Sequence, residues 1–215
     1  MDRGVAVVTG AAGGLGLAVA SALHRDGYAV HLTDVDGPAV TGAARRLGAA
    51  SLAALAVMRE AGRGHVVNVV SLAGLIAPPG ETVYAASKHA VLAFSVGTLA
   101  DLRAAGVRGV HISCVCPDGM WTPMLHDRLA DDGAAASFTG VLLPPERVAA
   151  RVARLVARLR PVVAVPRWRG AQVRVLGAFP GAFVRLARPV LAVGRAAQRR
   201  HLRRIARGET VVPPG

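Results

Sequence analysis

The chain has 215 residues, of which 53% are hydrophobic and 4% aromatic, a composition that suits one α/β domain with an aliphatic core plus an appendage. Its first apolar stretch, Val5–Val8, is too short for a signal-peptide core or a membrane span, so we expect a cytoplasmic protein that is not exported. Residues 1–143 hold ten basic and eleven acidic side chains, a net charge of −1, whereas residues 144–215 hold sixteen arginines and two glutamates, a net charge of +14. This asymmetry points to an anionic partner, nucleic acid or membrane, for the C-terminal part alone.

Short apolar runs alternate with segments of helical spacing over the first 166 residues. The predicted strands are Val5–Val8, Ala29–Thr33, His65–Val70, Val110–Val115 and Val162–Val165. The predicted helices are Leu15–Arg25, Pro38 to about Leu47, Ser51–Glu60, Tyr84–Ala105 and Pro144 to about Arg160. This alternation is typical of an α/β fold with a mostly parallel sheet. We therefore divide the chain into a domain of residues 1–166 and a basic amphipathic tail of residues 167–215.

The cysteines and histidines of the sequence indicate neither a disulfide nor a metal site. Cys114 and Cys116 lie two positions apart in a predicted strand, so they share a face and are poorly placed to bond each other. We expect two reduced core thiols. The seven histidines show no metal-ligand spacing, and no metal is implied.

A glycine-rich turn follows the first strand and opens the first helix, in the string Thr9-Gly10-Ala11-Ala12-Gly13-Gly14-Leu15-Gly16. In that context Gly10 makes the tight turn, Gly14 lets a pyrophosphate approach the backbone, and Gly16 lets helix and strand pack closely. The N–H groups near Leu15 then face the phosphates. The alternative is an ordinary turn, because the chain holds 25 glycines.

Asp34 closes the second strand, eighteen residues after Gly16. Dinucleotide-binding folds place there the carboxylate that accepts hydrogen bonds from the adenosine ribose. Because an acid repels a 2′-phosphate, and residues 10–19 contain no Arg or Lys, the sequence favours NAD(H) over NADP(H). The alternative is a solvated Asp at a strand end.

Three further residues have a spacing with chemical meaning. Tyr84 and Lys88 lie four residues apart on one face of a predicted helix, and Ser71 lies thirteen residues before Tyr84 at the end of a strand. Together with the glycine turn they match the Thr-Gly-x-x-x-Gly-x-Gly turn, the Tyr-x-x-x-Lys helix and the preceding Ser of the short-chain dehydrogenase/reductases, and the chain resembles that family. Lys88 is the single lysine beside 25 arginines. The alternative is a surface Tyr–Lys pair with an unrelated Ser.

The resemblance implies a Rossmann-like three-layer αβα fold and hydride transfer between a nicotinamide cofactor and a secondary alcohol or ketone. It implies that Ser71 hydrogen-bonds the substrate oxygen, that Tyr84 delivers or removes the proton, and that Lys88 also binds the nicotinamide ribose. The residue types suit this chemistry, because a phenol is a poor acid at neutral pH unless a nearby cation stabilises the phenolate.

The loop after the Val110–Val115 strand adds to the resemblance. Residues 117–143, predicted to be irregular, lie where open α/β sheets place ligand loops. Pro117 and Thr122 keep the spacing with which the family lines the nicotinamide and bonds its carboxamide, although Asp118 replaces the usual glycine. Three side chains of this loop either wall an apolar substrate pocket or belong to the core: Trp121, Met124 and Phe138.

Part of the family pattern has no counterpart in the sequence. Only 30 residues separate Asp34 from His65, which allows one crossover where the family has more. The third strand, the Asn-Asn-Ala-Gly strand and the start of the next helix, which in the family carries a relay Asn, are missing, as after an internal deletion. The resemblance places the Asn-Asn-Ala-Gly strand in mid-sheet, so the sheet must close over the gap or stay split. We expect the isolated protein to be weakly active or inactive.

Residues 167–207 combine apolar stretches with arginines and prolines, which excludes a spanning helix. An interfacial segment with arginines on anionic headgroups fits better, at the inner face of a membrane. Its predicted acyl-chain contacts are Phe179, Phe183, Leu186, Val190 and Leu191. A packed or solvated tail is the alternative, and nucleic acid is disfavoured because the tail has three aromatics and no known motif.

Two functions follow. The first is an NAD(H)-preferring short-chain dehydrogenase/reductase that acts on a small secondary alcohol or ketone. The second is a catalytically impaired remnant of that family whose basic tail binds an anionic membrane. Whether the chain forms a homo-oligomer is left open.

Overall fold

The computed structural model describes residues 4–11, 14–33 and 54–209, with the backbone alone at positions 32 and 33. Its strands are β1 Val5–Thr9, β2 Ala29–Thr33, β3 Gly64–Val69, β4 Val110–Pro117 and β5 Val162–Val165. Its α-helices are α1 Gly14–Arg25, α2 residues 54–60, α3 Thr82–Ala104, α4 Pro123–His126, α5 Pro145–Ala157, α6 Arg167–Ala178 and α7 Pro180–Ala206. Two 3₁₀ helices span Leu72–Gly74 and Asp132–Phe138. The predicted helix from Pro38 and the cap at Ser51 lie outside the described residues.

All strand pairs in this part of the chain are parallel, which confirms the α/β class. β1 pairs with β2, and β3, β4 and β5 form a second sheet in that order. The described strands therefore make two sheets, one of the two outcomes that the missing mid-sheet strand predicts. The described residues also fall into two compact units: unit 1 draws on 1–37, 118–157 and 186–215, and unit 2 on 38–117 and 158–185. The division at residue 166 stays a prediction.

Unit 2 is built around β4, which is buried along almost its whole length. A strand covered on both faces is expected to be a continuous apolar run, and the sequence Val-His-Ile-Ser-Cys-Val-Cys-Pro nearly is one. Cys114 and Cys116 are fully buried there and are free thiols. One cluster joins them to Val70, Leu72 and Val173.

Unit 1 is held by contacts between α1 and α5 and between α1 and the β1–β2 pair. In α5 four apolar side chains recur on one helical face and are buried, whereas the arginines of the same helix lie on the opposite face. The buried set is Val148, Ala149, Val152 and Leu155. The amphipathic pattern of the sequence thus becomes the packing surface between two helices.

The prediction that residues 117–143 are irregular is wrong for part of this segment. It contains α4 and a 3₁₀ helix, and Asp131 caps the latter by accepting a hydrogen bond from the Gly133 N–H at 2.8 Å. Phe138 is 6% exposed and packs with Leu129, and Trp121 packs against the same cluster. Trp121 and Phe138 are therefore core residues, whereas Met124 is 64% exposed.

Residues 194–205 of the tail are packed. The Gln198 side-chain amide is buried and donates to the carbonyl oxygens of Leu129 at 2.9 Å and Asp131 at 2.8 Å. Gly194 is buried, and a Cβ there would overlap the Ala135 carbonyl oxygen. Among the described residues no helix is long and apolar enough to cross a membrane.

Candidate active site

Ser71 follows β3 directly. The Val70 N–H donates to the Val115 carbonyl at 2.8 Å, so the pairing with β4 continues to the residue before Ser71. Ser71 then caps the 3₁₀ helix, and its Oγ accepts a hydrogen bond from the Ala73 N–H at 3.1 Å. A hydroxyl that accepts one N–H still has a proton to donate. This half-buried side chain is thus held by the backbone with its donor available for a substrate oxygen.

The turn after Ser71 packs closely on α3, which carries the other two predicted catalytic residues. A Cβ at Gly74 would lie 2.5 Å from Val70 Cγ1 and 3.0 Å from the Lys88 carbonyl oxygen. Side chains larger than hydrogen do not fit such gaps. Gly74 therefore lets the turn that begins at Ser71 meet the α3 backbone at Lys88.

Tyr84 and Lys88 lie one turn apart on α3, and the structure brings them together. Lys88 Nζ is 5.4 Å from the Tyr84 ring centroid and 3.5 Å from the Val69 carbonyl oxygen, the outer limit of a hydrogen bond. Burial lowers the pKa of Lys88, while Cys116 acts in the opposite direction. The cation that a phenolate needs is therefore beside the Tyr84 ring and partly withdrawn from water, where charge interactions are stronger.

The Cys116 thiol is a neighbour of this site that sequence reasoning assigned to the core alone. Burial raises its pKa to about 11 and Cys114 raises it further, against smaller opposing effects of the Ser71 backbone, Arg174 and Lys88. Cys116 is therefore a neutral thiol at physiological pH. Its position at the carboxyl end of β4, where parallel sheets place their ligand sites, is the signal that points to it.

The glycine turn lies in unit 1 and has the backbone geometry of a tight turn. Gly10 has a φ of +69°, a region that favours glycine. A Cβ at Gly16 would overlap the Gly10 carbonyl oxygen, so the start of α1 touches the end of β1. The turn and packing roles predicted for Gly10 and Gly16 agree with this geometry. Ala12 and Gly13 lie outside the described residues.

Gly14 begins α1 with a φ of +53°, and the half-buried Leu15 follows it. A Cβ at Gly14 would lie 3.8 Å from Thr122 Cγ2, so the structure also brings these two predicted cofactor residues together within unit 1. Thr122 is the N-cap residue of α4, but its side chain makes no capping hydrogen bond. Its hydroxyl can therefore serve a ligand beside the glycine turn.

The remaining predicted residues divide as follows. Asp34 lies outside the described residues. Pro117 is the last residue of β4 in unit 2, and Asp118 Oδ1 accepts a hydrogen bond from the Gly119 N–H at 3.0 Å. Unit 2 holds Ser71, Tyr84, Lys88 and Pro117, and unit 1 holds Gly10, Gly14, Leu15, Gly16 and Thr122. In the described ranges, no group of three or more His, Cys, Asp or Glu side chains is arranged to hold a metal ion.

Residues 49–133 match the family model of the short chain dehydrogenases. This segment contains Ser71, Tyr84, Lys88, Pro117 and Thr122, but neither the glycine turn nor Asp34. Over this segment the chain is similar to the short-chain dehydrogenase/reductases.

Curated relatives match over a similar length. A short-chain dehydrogenase of Aspergillus ruber is 34% identical over 87 residues, 40% of this chain and 31% of the relative. The 1-deoxy-11-beta-hydroxypentalenate dehydrogenase of Streptomyces exfoliatus is 41% identical over 76 residues, 35% of this chain and 26% of the relative. The matches thus span about a third or less of each relative.

Solved structures match more of the chain at lower identity. The 3-hydroxyacyl-CoA dehydrogenase type-2 of Mycobacterium avium has a TM-score of 0.56 and 21% identity, and the match covers 75% of this chain and 93% of that one. A 4-hydroxyisoleucine dehydrogenase mutant complexed with NADH and succinate has a TM-score of 0.58 and 14% identity, and the match covers 75% and 97%. At such identities these likenesses show a Rossmann-like fold.

Proposed function

We propose that the chain is an NAD(H)-dependent oxidoreductase that transfers hydride between the nicotinamide and a secondary alcohol or ketone. The observation that carries this proposal is the Lys88 ammonium 5.4 Å from the Tyr84 ring centroid, inside the segment that matches the family. The glycine turn fits a dinucleotide, because its positive-φ glycines leave the backbone open at the start of α1. When bound, the cofactor supplies the hydride.

The chain's own residues handle the proton. During reduction of a ketone, Ser71 donates a hydrogen bond to the substrate oxygen and Tyr84 transfers its phenolic proton to that oxygen. Lys88 stabilises the phenolate that is left, because an ammonium beside a phenol favours the charged form. In the oxidation direction the phenolate takes the proton back. Tyr84 is thus the general acid or base, and Lys88 stabilises its charged form.

Asp34 supports NAD(H) over NADP(H) in this proposal, since a carboxylate at the end of β2 suits free ribose hydroxyls and repels a 2′-phosphate. Asp34→Ser is expected to weaken NADH binding and to reduce the preference for NADH over NADPH. Fluorescence titration with both cofactors measures the ratio of the two Kd values. An unchanged ratio would remove Asp34 from the cofactor site.

Tyr84→Phe tests the catalytic part of the proposal. Removal of the phenolic proton is expected to lower turnover by roughly 10²- to 10⁴-fold and to leave NADH binding within about twofold. Tyr28→Phe is the matched control, because Tyr28 is the other tyrosine of the chain and lies between α1 and β2 in unit 1. Equal turnover in the Tyr84→Phe and Tyr28→Phe variants would contradict the assignment.

A second candidate is a catalytically impaired member of the family whose basic tail does the work. Two observations favour it: the described strands form two sheets, and no residue of the sequence takes the role of the relay Asn. This candidate predicts NADH binding without turnover in any assay. Slow turnover that depends on Tyr84 would separate the first candidate from the second.

A further inference from the structure

Helix α6 packs on the β3–β4–β5 sheet with one narrow face. A Cβ at Gly170 would overlap the Ala164 side chain on β5, and a Cβ at Gly177 would lie 3.1 Å from the Leu75 carbonyl oxygen. Val173, between these glycines, is 6% exposed and belongs to the core around Cys114 and Cys116. The face of α6 that meets the sheet therefore packs within unit 2 and is not available to a partner.

The opposite face of α6 carries large apolar side chains that remain uncovered. Positions 168, 175 and 179 lie within about 20° of one line along a helix of 3.6 residues per turn. Trp168 is 59% exposed, Val175 61% and Phe179, at the C-cap, 62%. We call these three residues the α6 stripe. It is about 16 Å long at 1.5 Å per residue, and Gln172, which accepts a hydrogen bond from Arg169 at 2.6 Å, borders it between Trp168 and Val175. A row of exposed large apolar side chains of this kind points to an interaction site.

The charges that helix α6 itself places beside the α6 stripe are all positive. Arg167, Arg169 and Arg174 lie roughly 100° to either side of it, and the Arg169 guanidinium is 5.6 Å from the Trp168 ring centroid. Helix α6 has no acidic residue, and the sequence has none between Glu146 and Glu209. The occupant of the stripe must therefore be apolar in its interior and anionic at its surface.

This chemistry separates three partners. A second copy of the chain would place arginines against arginines, because the same positive helix would approach from the other side. Nucleic acid offers phosphates, but an aliphatic residue such as Val175 gains little from a charged backbone. An anionic bilayer satisfies both parts, since acyl chains accept the apolar side chains and headgroups accept the guanidinium groups.

We propose that the α6 stripe docks on an anionic lipid bilayer. Trp168, Val175 and Phe179 enter the interface between headgroups and acyl chains, with Arg167 and Arg169 on the headgroups. This surface differs from the tail segment expected from sequence alone, in which residues up to Leu191 enter the lipid. It does not depend on the proposed oxidoreductase activity.

A vesicle experiment on the full chain tests the proposal with Trp168 as the reporter. Trp121→Phe leaves Trp168 as the only tryptophan. Phosphatidylcholine vesicles that contain phosphatidylglycerol are expected to shift its emission to the blue, and brominated acyl chains are expected to quench it. Pure phosphatidylcholine vesicles are expected to do neither. Equal binding to both vesicle types, or bound protein whose Trp168 is not quenched, would overturn the proposal.

Matched variants locate the contact. Val175→Ser combined with Phe179→Ser is expected to lower partitioning onto anionic vesicles about tenfold or more. Val141→Ser, at an equally exposed valine of unit 1, is expected to leave partitioning unchanged. Arg167→Gln with Arg169→Gln is expected to weaken binding more than Arg199→Gln with Arg203→Gln on α7. Equal losses of binding in the Arg167/Arg169 and Arg199/Arg203 double variants would mean that the total charge of the chain binds the vesicle. Equal losses in the Val175/Phe179 and Val141 variants would mean that the contact is not specific to the α6 stripe, and either result would contradict the proposal.

The same variants also test whether a second copy of the chain or nucleic acid binds the α6 stripe instead. A concentration-dependent dimer in analytical ultracentrifugation that the Val175→Ser/Phe179→Ser variant disperses would assign the stripe to a second copy. Duplex DNA binding that falls in this double variant, without loss of vesicle binding, would assign it to nucleic acid. Either result would overturn the proposal.

Discussion

At the scale of single residues, the site depends on what surrounds each side chain more than on its identity. Lys88 is withdrawn from water between the Tyr84 ring, the Val69 carbonyl and the Cys116 thiol. The sequence predicts the spacing of Tyr84 and Lys88, because four residues on a helix place two side chains on one face. The sequence does not predict the burial of Lys88 or the nearby Cys116 thiol, because β4 and α3 are distant in sequence and only the fold brings them together.

Lys88→Arg is expected to lower turnover by roughly 10²-fold or more, because the planar guanidinium is larger and needs a different hydrogen-bond geometry beside the Val69 carbonyl. NADH binding and circular dichroism report whether cofactor affinity and fold are kept. Arg63→Lys, at an exposed position, is the control for exchanging the two cations. Activity that survives in the Lys88→Arg variant would mean that a positive charge at position 88, whatever its shape, is enough to support catalysis.

His65 gives a second residue-scale prediction, on pH and stability. Its pKa is lowered from 6.5 to about 4, first by burial and then by His111. Its Nε2 lies 2.8 Å from the Ser113 hydroxyl, and its Nδ1 is buried without a partner among the described residues. The folded state therefore binds fewer protons than the unfolded state between pH 6.5 and 4. Stability is thus complete above pH 6.5 and is lost as the pH falls through that window.

The expected loss from His65 is roughly 2 kcal/mol, reduced from the full shift because the ring is partly exposed. Urea unfolding at about pH 7.5, above the window, and at about pH 4.5, near its lower end, measures this loss. His65→Gln keeps a donor for Ser113 and is expected to flatten this pH dependence. Parallel pH profiles for the native chain and the His65→Gln variant would contradict the assignment.

At the scale of elements, strands and helices follow the sequence closely where local signals are strong. Ala29–Thr33 and Val162–Val165 have the predicted bounds, since each is an apolar run between turn residues. The short helices at 123–138 were missed although Pro123 and Asp131 are ordinary start signals. The sequence offers a packed tail only as the alternative to a membrane-bound one, for another reason. Gln198 finds its carbonyl partners 67 and 69 residues away in sequence, which no local pattern predicts.

Gly16→Ala tests the turn between β1 and α1. The added methyl would overlap the Gly10 carbonyl, so the free energy of unfolding is expected to fall by about 1–3 kcal/mol and NADH binding is expected to weaken. Gly97→Ala is the matched control, because nothing lies within 4 Å of a Cβ at that helical position. It is expected to stabilise the protein by about 0.5–1 kcal/mol. Similar stabilities for the two variants would contradict close packing at Gly16.

At the scale of the whole molecule, the sequence predicts the α/β class and the parallel pairing, and the described strands confirm both. The predicted resemblance to the short-chain dehydrogenase/reductases is matched over residues 49–133. Local periodicity indicates which segments are strands but not which strand lies beside which. The gap between Asp34 and His65 nevertheless predicts a sheet that is closed or split, and the described strands form two sheets. The same gap is the physical reason to expect slow turnover from the isolated chain.

Transfer of deuterium from reduced cofactor to product is the most direct test of the central claim. The chain is incubated for a long period with saturating 4-deuterated NADH and a panel of apolar ketones, and mass spectrometry detects labelled alcohol even at low turnover. The account predicts label above the protein-free blank, formed slowly, and absent in the Tyr84→Phe variant that still binds NADH. Bound NADH without label in any product, or equal label in the Tyr84→Phe variant, would contradict it.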